Sequence, residues 1–125
     1  MPQTQTNLSL HGCSIVNGEA RQGSGAEFHG FDPAMGERLE PAYRSGSIED
    51  LNAAAELAEE AFAIYGKLPG RERARFLRSI AEGIEAIVPE LVERAHRETA
   101  LPEARLKGES ARTVNQLRLF AQVVE

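Results

Sequence analysis

The feature that most limits what this chain can become is a change of period at Ser47. Before it, turn formers interrupt the chain every few residues: positions 1–46 hold most of the glycines and half of the prolines. After it, apolar residues recur at spacings of three and four over long stretches. The first texture suits short strands joined by tight turns, and the second suits amphipathic helices. The organisation this implies is a disordered or extended tail over 1–12, a strand-and-turn region over 13–46, and a mostly helical region over 47–125.

Local signals fill in that outline. Asn17-Gly18 follows the short β-branched run Ser14-Ile15-Val16, and both residues tolerate the positive φ of a type I′ turn, so a hairpin is expected. Gln22-Gly23-Ser24-Gly25 reads as a loop. Glu27 to Phe31 alternates as a half-buried strand does, and Asp32-Pro33-Ala34-Met35-Gly36 makes the turn. Arg38 to Tyr43 then returns as a strand that Pro41 confines to an edge. Ser47-Ile48-Glu49-Asp50 is a capping signal, and Leu51, Ala54, Ala55, Ala58, Ala61, Phe62 and Tyr65 share one face of the helix it opens. Gly66 ends that helix and Pro69-Gly70 separates it from the next.

A second helix is expected from near Arg71, with the stripe Ala74, Leu77, Ile80, Ala81 and Ile84 resuming as Val88, Leu91, Val92 and Ala95. Pro89 should kink it or break it in two. Thr99-Ala100-Leu101-Pro102 is the next interruption, and Pro102 suits the first turn of a last helix. Its apolar side is Leu106, Val114, Leu117, Phe120, Ala121 and Val124. Glu125 falls inside that pattern with no Gly, Asn or Pro beyond it, so the sequence reads as truncated at 125.

Composition narrows the function classes. The 42% hydrophobic and 26% charged residues are ordinary for a globular chain. Nineteen acidic against fourteen basic residues disfavour nucleic acid as a partner. No apolar run approaches the ~20 residues of a membrane span, and the N-terminus lacks the basic and apolar regions of a secretion signal. Cys13 is the one cysteine, which excludes an internal disulfide and fits a reducing compartment. A cytoplasmic location is the expectation.

No reactive constellation emerges from the residues. His11 lies two positions from Cys13, but nothing orients it as a base, and lone cysteines are usually packing residues. His11, Cys13, His29 and His96 have no zinc-ligand spacing. Glu49-Asp50 and Glu59-Glu60 fall on solvated helix faces. Gly23-Ser24-Gly25 lacks the lysine of a phosphate loop and the strand–helix frame of a dinucleotide turn. Arg71, Arg73, Arg75 and Arg78, with Glu72 among them, suit ion pairing or contact with an acidic segment. Catalytic, cofactor-binding and metal-binding residues are all expected to be none.

In order, the segments resemble the N-terminal part of the aldehyde dehydrogenase superfamily. Ile15-Val16-Asn17-Gly18-Glu19 is similar to that family's first hairpin, and Phe31 to Glu37 to its Asn-Pro-x-x-Gly-Glu turn, with Asp32 in place of Asn. The alanine-rich helix from Ile48 to Tyr65 follows, then Arg71-Glu72-Arg73-Ala74 leading to Leu77 and Ile80-Ala81. Glu98-Thr99-Ala100-Leu101-Pro102 matches a Glu-Thr-Gly-Lys-Pro segment and departs from it at Ala100 and Leu101. With Arg105 to Glu109 and Gln116 to Ala121, that departure is similar to the branch oxidising α-ketoglutaric semialdehyde (2,5-dioxopentanoate).

The resemblance implies an α/β parent fold, of which this segment is a β-hairpin and strand region followed by three to four amphipathic helices. It implies NAD(P)-dependent oxidation of an aldehyde to an acid through a cysteine thiolate, a glutamate-activated water and an oxyanion site. In the family those groups lie beyond position 125, and Cys13 does not match the catalytic cysteine's motif. NAD or NADP therefore belongs to the parent protein, with none expected on the segment alone. The implied partners are the remainder of the parent chain and further copies in a homo-oligomer, not nucleic acid or membrane. The rival expectation is a complete small helical interaction or ligand-binding module without catalysis.

Overall fold

A computed structural model describes residues 10–125. Positions 1–9 of the expected tail lie outside the described residues. In chain order the elements are β1 (Ser14–Val16), β2 (Glu19–Arg21), β3 (Glu27–Asp32), β4 (Glu37–Arg44), α1 (Ile48–Tyr65), α2 (Gly70–Ala86), α3 (Val88–Thr99) and α4 (Glu103–Val124). The described residues fall into two compact units, Leu10–Lys67 and Leu68–Glu125. That division comes one helix after the change of texture at Ser47. The last three helices bury their stripes together, whereas α1 buries no residue.

In the first unit, β1 and β2 pair antiparallel around Asn17 and Gly18, whose φ angles of 54° and 76° are those of a turn that twists with its strands. β3 pairs with β4 from Glu27↔Arg44 to Asp32↔Glu37, with a bulge where His29 faces Ala42 and Gly30 faces Leu39. Glu40 and Pro41 occupy the bulge, so the missing N–H of Pro41 interrupts no ladder bond. Asp32 fixes the turn between them: its Oδ1 accepts from the N–H groups of Ala34 and Met35, each at 3.0 Å. Phe28 and Tyr43 stack across the ladder at 5.6 Å, and Leu39 is buried. α1 opens with a capping box, Ser47 Oγ accepting from the Asp50 N–H at 3.0 Å while the Asp50 carboxylate accepts from the Ser47 N–H at 2.9 Å.

The second unit is an antiparallel helix pair with α3 against one end. Ala74 and Ala81 on α2, and Val114 and Ala121 on α4, are each seven residues apart and all buried. Side chains this small let the helix axes approach closely. At the start of α2 the approach is closer still: a Cβ on Gly70 would run into the Val124 carbonyl at the end of α4. Two ion pairs on one flank, Arg78 with Glu125 and Glu85 with Arg118, are also seven residues apart on each helix and opposite in polarity. That reversal is satisfied only in the antiparallel direction.

Pro89 breaks the expected long helix outright. α2 ends and α3 begins at Ile87, with Pro89 in the first turn, where its missing N–H costs no helical bond. α3 ends at Ala100, which holds a left-handed φ of 57°. Val92 on α3 and Leu106 on α4 complete the core. Among the described residues, no helix is long and apolar enough to cross a membrane.

Candidate functional site

The helical stripe expected on the last helix divides in two. Leu106, Val114 and Ala121 turn into the core, while Phe120 stays 55% exposed. Phe120 and Leu117 instead form one wall of a groove of about 660 Å³, with Leu77 of α2 opposite. The rest of the lining is also from α4: Glu109, Arg112, Thr113 and Gln116. Positions 109, 112, 113, 116, 117 and 120 recur at three and four, so a single helix presents the whole row.

The polar members of the row differ in what they have left to offer. Glu109 accepts from Arg105 Nε at 2.9 Å, which largely occupies its charge. Thr113 Oγ1 donates to the Glu109 carbonyl at 3.1 Å, which uses its proton and leaves lone pairs. Among the described residues, Arg112 has neither an ion-pair nor a hydrogen-bond partner, and the Gln116 amide is equally uncommitted. The groove thus joins an apolar wall to an uncommitted guanidinium and an uncommitted amide. The sequence did not single out Arg112, and Gln116 entered only as the start of the Gln116 to Ala121 stretch that carries the resemblance. The signal available was their spacing of four and their place one row beside Leu117 and Phe120.

The residues the sequence did single out are not brought together. The Cys13 thiol donates weakly to the His11 carbonyl at 3.5 Å, while His11 Nδ1 accepts from the Cys13 backbone N–H at 3.1 Å. The imidazole nitrogen is therefore engaged with backbone, not sulfur. His29 Nδ1 lies 3.3 Å from the Leu39 carbonyl, between the carboxylates of Glu27 and Glu40 at 3.6 and 3.7 Å. His96 Nδ1 is 2.7 Å from the Leu101 carbonyl, which can only accept, so that nitrogen carries the proton. Among the described residues, no three His, Cys, Asp or Glu side chains gather as metal ligands would. In the arginine cluster, Arg75 binds Glu72 at 2.8 Å and Arg78 binds Glu125. The hydrogen bond from Arg78 holds the Glu125 carboxyl below the usual carboxylate range, and that from Arg118 does the same to Glu85.

A dinucleotide needs a glycine loop opening onto a helix N-terminus free to face a phosphate. Gly23 does not supply one, since a Cβ there would run into the backbone of Arg44 and Ser45, so its bareness serves a chain crossing. Every helix among the described residues also carries a carboxylate in its first turn: Glu49 and Asp50, Glu72, Glu90, and Glu103. These residues do not fit NAD(P).

Comparison with known proteins gives a consistent picture. The model of the aldehyde dehydrogenase family matches residues 20–125. Alpha-ketoglutaric semialdehyde dehydrogenase 2 of Azospirillum brasilense is 46% identical over 118 residues, 94% of this chain and 22% of that protein. The alpha-ketoglutaric semialdehyde dehydrogenase of Acinetobacter baylyi is 39% identical over 82 residues, 66% of this chain and 16% of that protein. An NAD-dependent benzaldehyde dehydrogenase from Corynebacterium glutamicum matches in fold, with a TM-score of 0.83 over 90% of this chain and 25% of that one, at 22% identity. The chain thus spans about a fifth of the length of the curated relatives it matches.

Proposed function

The chain belongs to the aldehyde dehydrogenase family, and on that premise we propose that it is the N-terminal scaffold of an NAD(P)-dependent enzyme oxidising α-ketoglutaric semialdehyde to 2-oxoglutarate. The observation that supports the substrate is the 46% identity to the Azospirillum brasilense protein, sustained along 94% of this chain. In this reading the segment supplies none of the reacting groups, which is supported among the described residues by the lack of a base on the Cys13 sulfur and of a glycine loop shaped as a phosphate cradle. The thiolate, the base and the cofactor's seat belong to the parent chain beyond these residues. The parent is a cytoplasmic homo-oligomer in this reading, with the remainder of its own chain as this segment's first partner.

Bound nicotinamide would supply the hydride acceptor. The contribution of these residues is to hold a rigid helical body against which the reacting parts are ordered. Steady-state assays of the full-length protein with α-ketoglutaric, succinic and glutaric semialdehydes, each with NAD and NADP, test the proposal. The highest kcat/KM should fall on α-ketoglutaric semialdehyde. A preference of tenfold or more for either of the others overturns the substrate, and no aldehyde oxidation at all overturns the activity.

A further inference from the structure

We propose that Asn17 is a modification site at which the folded chain ages: its side-chain amide is lost to attack by the neighbouring backbone, leaving isoaspartate or aspartate in the β1–β2 turn. Three observations carry it. Asn17 is followed by glycine, both residues are exposed, and a Cβ placed on Gly18 would meet nothing within 4 Å apart from its chain neighbours. Among the described residues, the Asn17 carboxamide has no hydrogen-bond partner, and the Gly18 N–H, in the middle of a two-residue loop, donates to no carbonyl. The hairpin that holds the turn has three residue pairs, none of them buried, and so short a two-stranded ladder opens readily. Asn52 on α1 and Asn115 on α4 supply the contrast. Both are exposed too, but Ala53 and Gln116 follow them, and amide nitrogens inside a helix are already committed to carbonyls four residues back. Exposure is common to all three, whereas the free and unshielded nitrogen belongs to Asn17.

The closed turn fixes Asn17 at a left-handed φ of 54°. Opening the hairpin frees that backbone, and the Gly18 nitrogen can then turn onto the side-chain carbonyl carbon. Hydroxide removes the Gly18 amide proton, the nitrogen bonds to Asn17 Cγ, and the bond from Cγ to the side-chain nitrogen breaks, ammonia leaving with a proton from water. Water then opens the cyclic imide. Addition at Cγ restores the normal backbone as aspartate. Addition at the Asn17 backbone carbonyl leaves Gly18 bonded to Cγ, which is isoaspartate. No electrons are exchanged, and hydroxide and water are the co-reactants. Isoaspartate adds one carbon to the backbone, so the two-residue loop no longer closes in register and β1 parts from β2.

The test ages the full-length protein at mildly alkaline pH, folded and in urea, and follows each asparagine by peptide mapping with liquid chromatography and mass spectrometry. In the folded protein, Asn17 should lose its amide at least tenfold faster than Asn52 and Asn115, with isoaspartate exceeding aspartate, and faster still as pH rises. Brief trypsin treatment should then cut after Arg21, which pairs with Ser14 in the ladder, at least threefold faster in aged than in fresh protein. Asn17→Gly keeps a residue suited to this turn and should show no such acceleration, which separates the hairpin from general ageing of the sample. Loss of the Asn17 amide no faster than at Asn52 and Asn115 overturns the site. So does conversion confined to the protein in urea, because the folded turn is then a lock. Conversion in the folded protein with unchanged cleavage after Arg21 overturns the parting of β1 from β2.

Discussion

At Ala100 the chain departs from the glycine that its resemblance to the family calls for, and the backbone does not follow the departure. Its φ of 57° is the left-handed conformation, in which a Cβ crowds the following carbonyl at a cost of roughly 1–2 kcal/mol. Thr99 Oγ1, accepting from the Leu101 N–H at 3.2 Å, and the Ala100 N–H, bonded to the His96 carbonyl at 2.8 Å, hold the turn in that shape. Ala100→Gly should therefore raise stability by about 1 kcal/mol, less the greater entropy of an unfolded glycine, read as a higher urea midpoint. Gly70 is the opposite case. Alanine normally favours a helix over glycine, yet here its methyl has to displace the Val124 carbonyl. Gly70→Ala should lower stability by about 1–3 kcal/mol, the usual range for overpacking, and an increase in melting temperature would refute the close approach.

Element by element, the sequence was most legible where one residue controls the backbone. Asn17-Gly18 placed the first turn, Ser47 and Asp50 the start of α1, and Pro89 the break between α2 and α3. It was least legible in how the apolar stripe of α4 is shared. Periodicity gave Leu106, Val114, Leu117, Phe120, Ala121 and Val124 one face, but the alanines of α2 take only Val114 and Ala121 at the seam, and Phe120 is left outside. The flanking ion pairs give this helix pair a pH dependence. Glu85 and Glu125 have their carboxyls held low, chiefly by hydrogen bonds from Arg118 and Arg78. A carboxyl whose folded pKa is depressed stabilises the fold above its unfolded value, about 4.3 for glutamate, and loses that contribution as pH falls through the lower folded value. Asp50, held low by the Ser47 backbone N–H, follows the same sign at the cap of α1. Helicity by circular dichroism should be flat from pH 7 to about 5 and decline below about 4. The double swap Glu85→Arg with Arg118→Glu should keep that profile, while either single change should lower the melting temperature.

For the whole molecule, the balance of covered and uncovered apolar surface decides behaviour. Among the described residues, three of the seven buried hydrophobic residues are alanine and none is aromatic, while Phe62, Ile64, Ile15 and Met35 are each about 70% exposed. None of α1 is buried, although Leu51, Phe62 and Tyr65 lie on one face. Such surface favours association, so residues 1–125 expressed alone should show a concentration-dependent increase in mass by light scattering and should bind an apolar dye. A cooperatively melting monomer without dye binding would count against this. The sequence by itself determined the period of each segment, the turns, the caps and the break at Pro89, because each depends on backbone sterics within a few residues. Its ordered motifs also carried the family. Only the tertiary structure decided which apolar residues of α4 enter the core and which stay outside, and that Arg112 and Gln116 face a groove with no partner among the described residues. Those outcomes depend on the distance between α2 and α4, whose ion-paired residues lie 33 and 47 positions apart in the chain, a distance that alanines and a glycine set at the crossing and that no local pattern encodes.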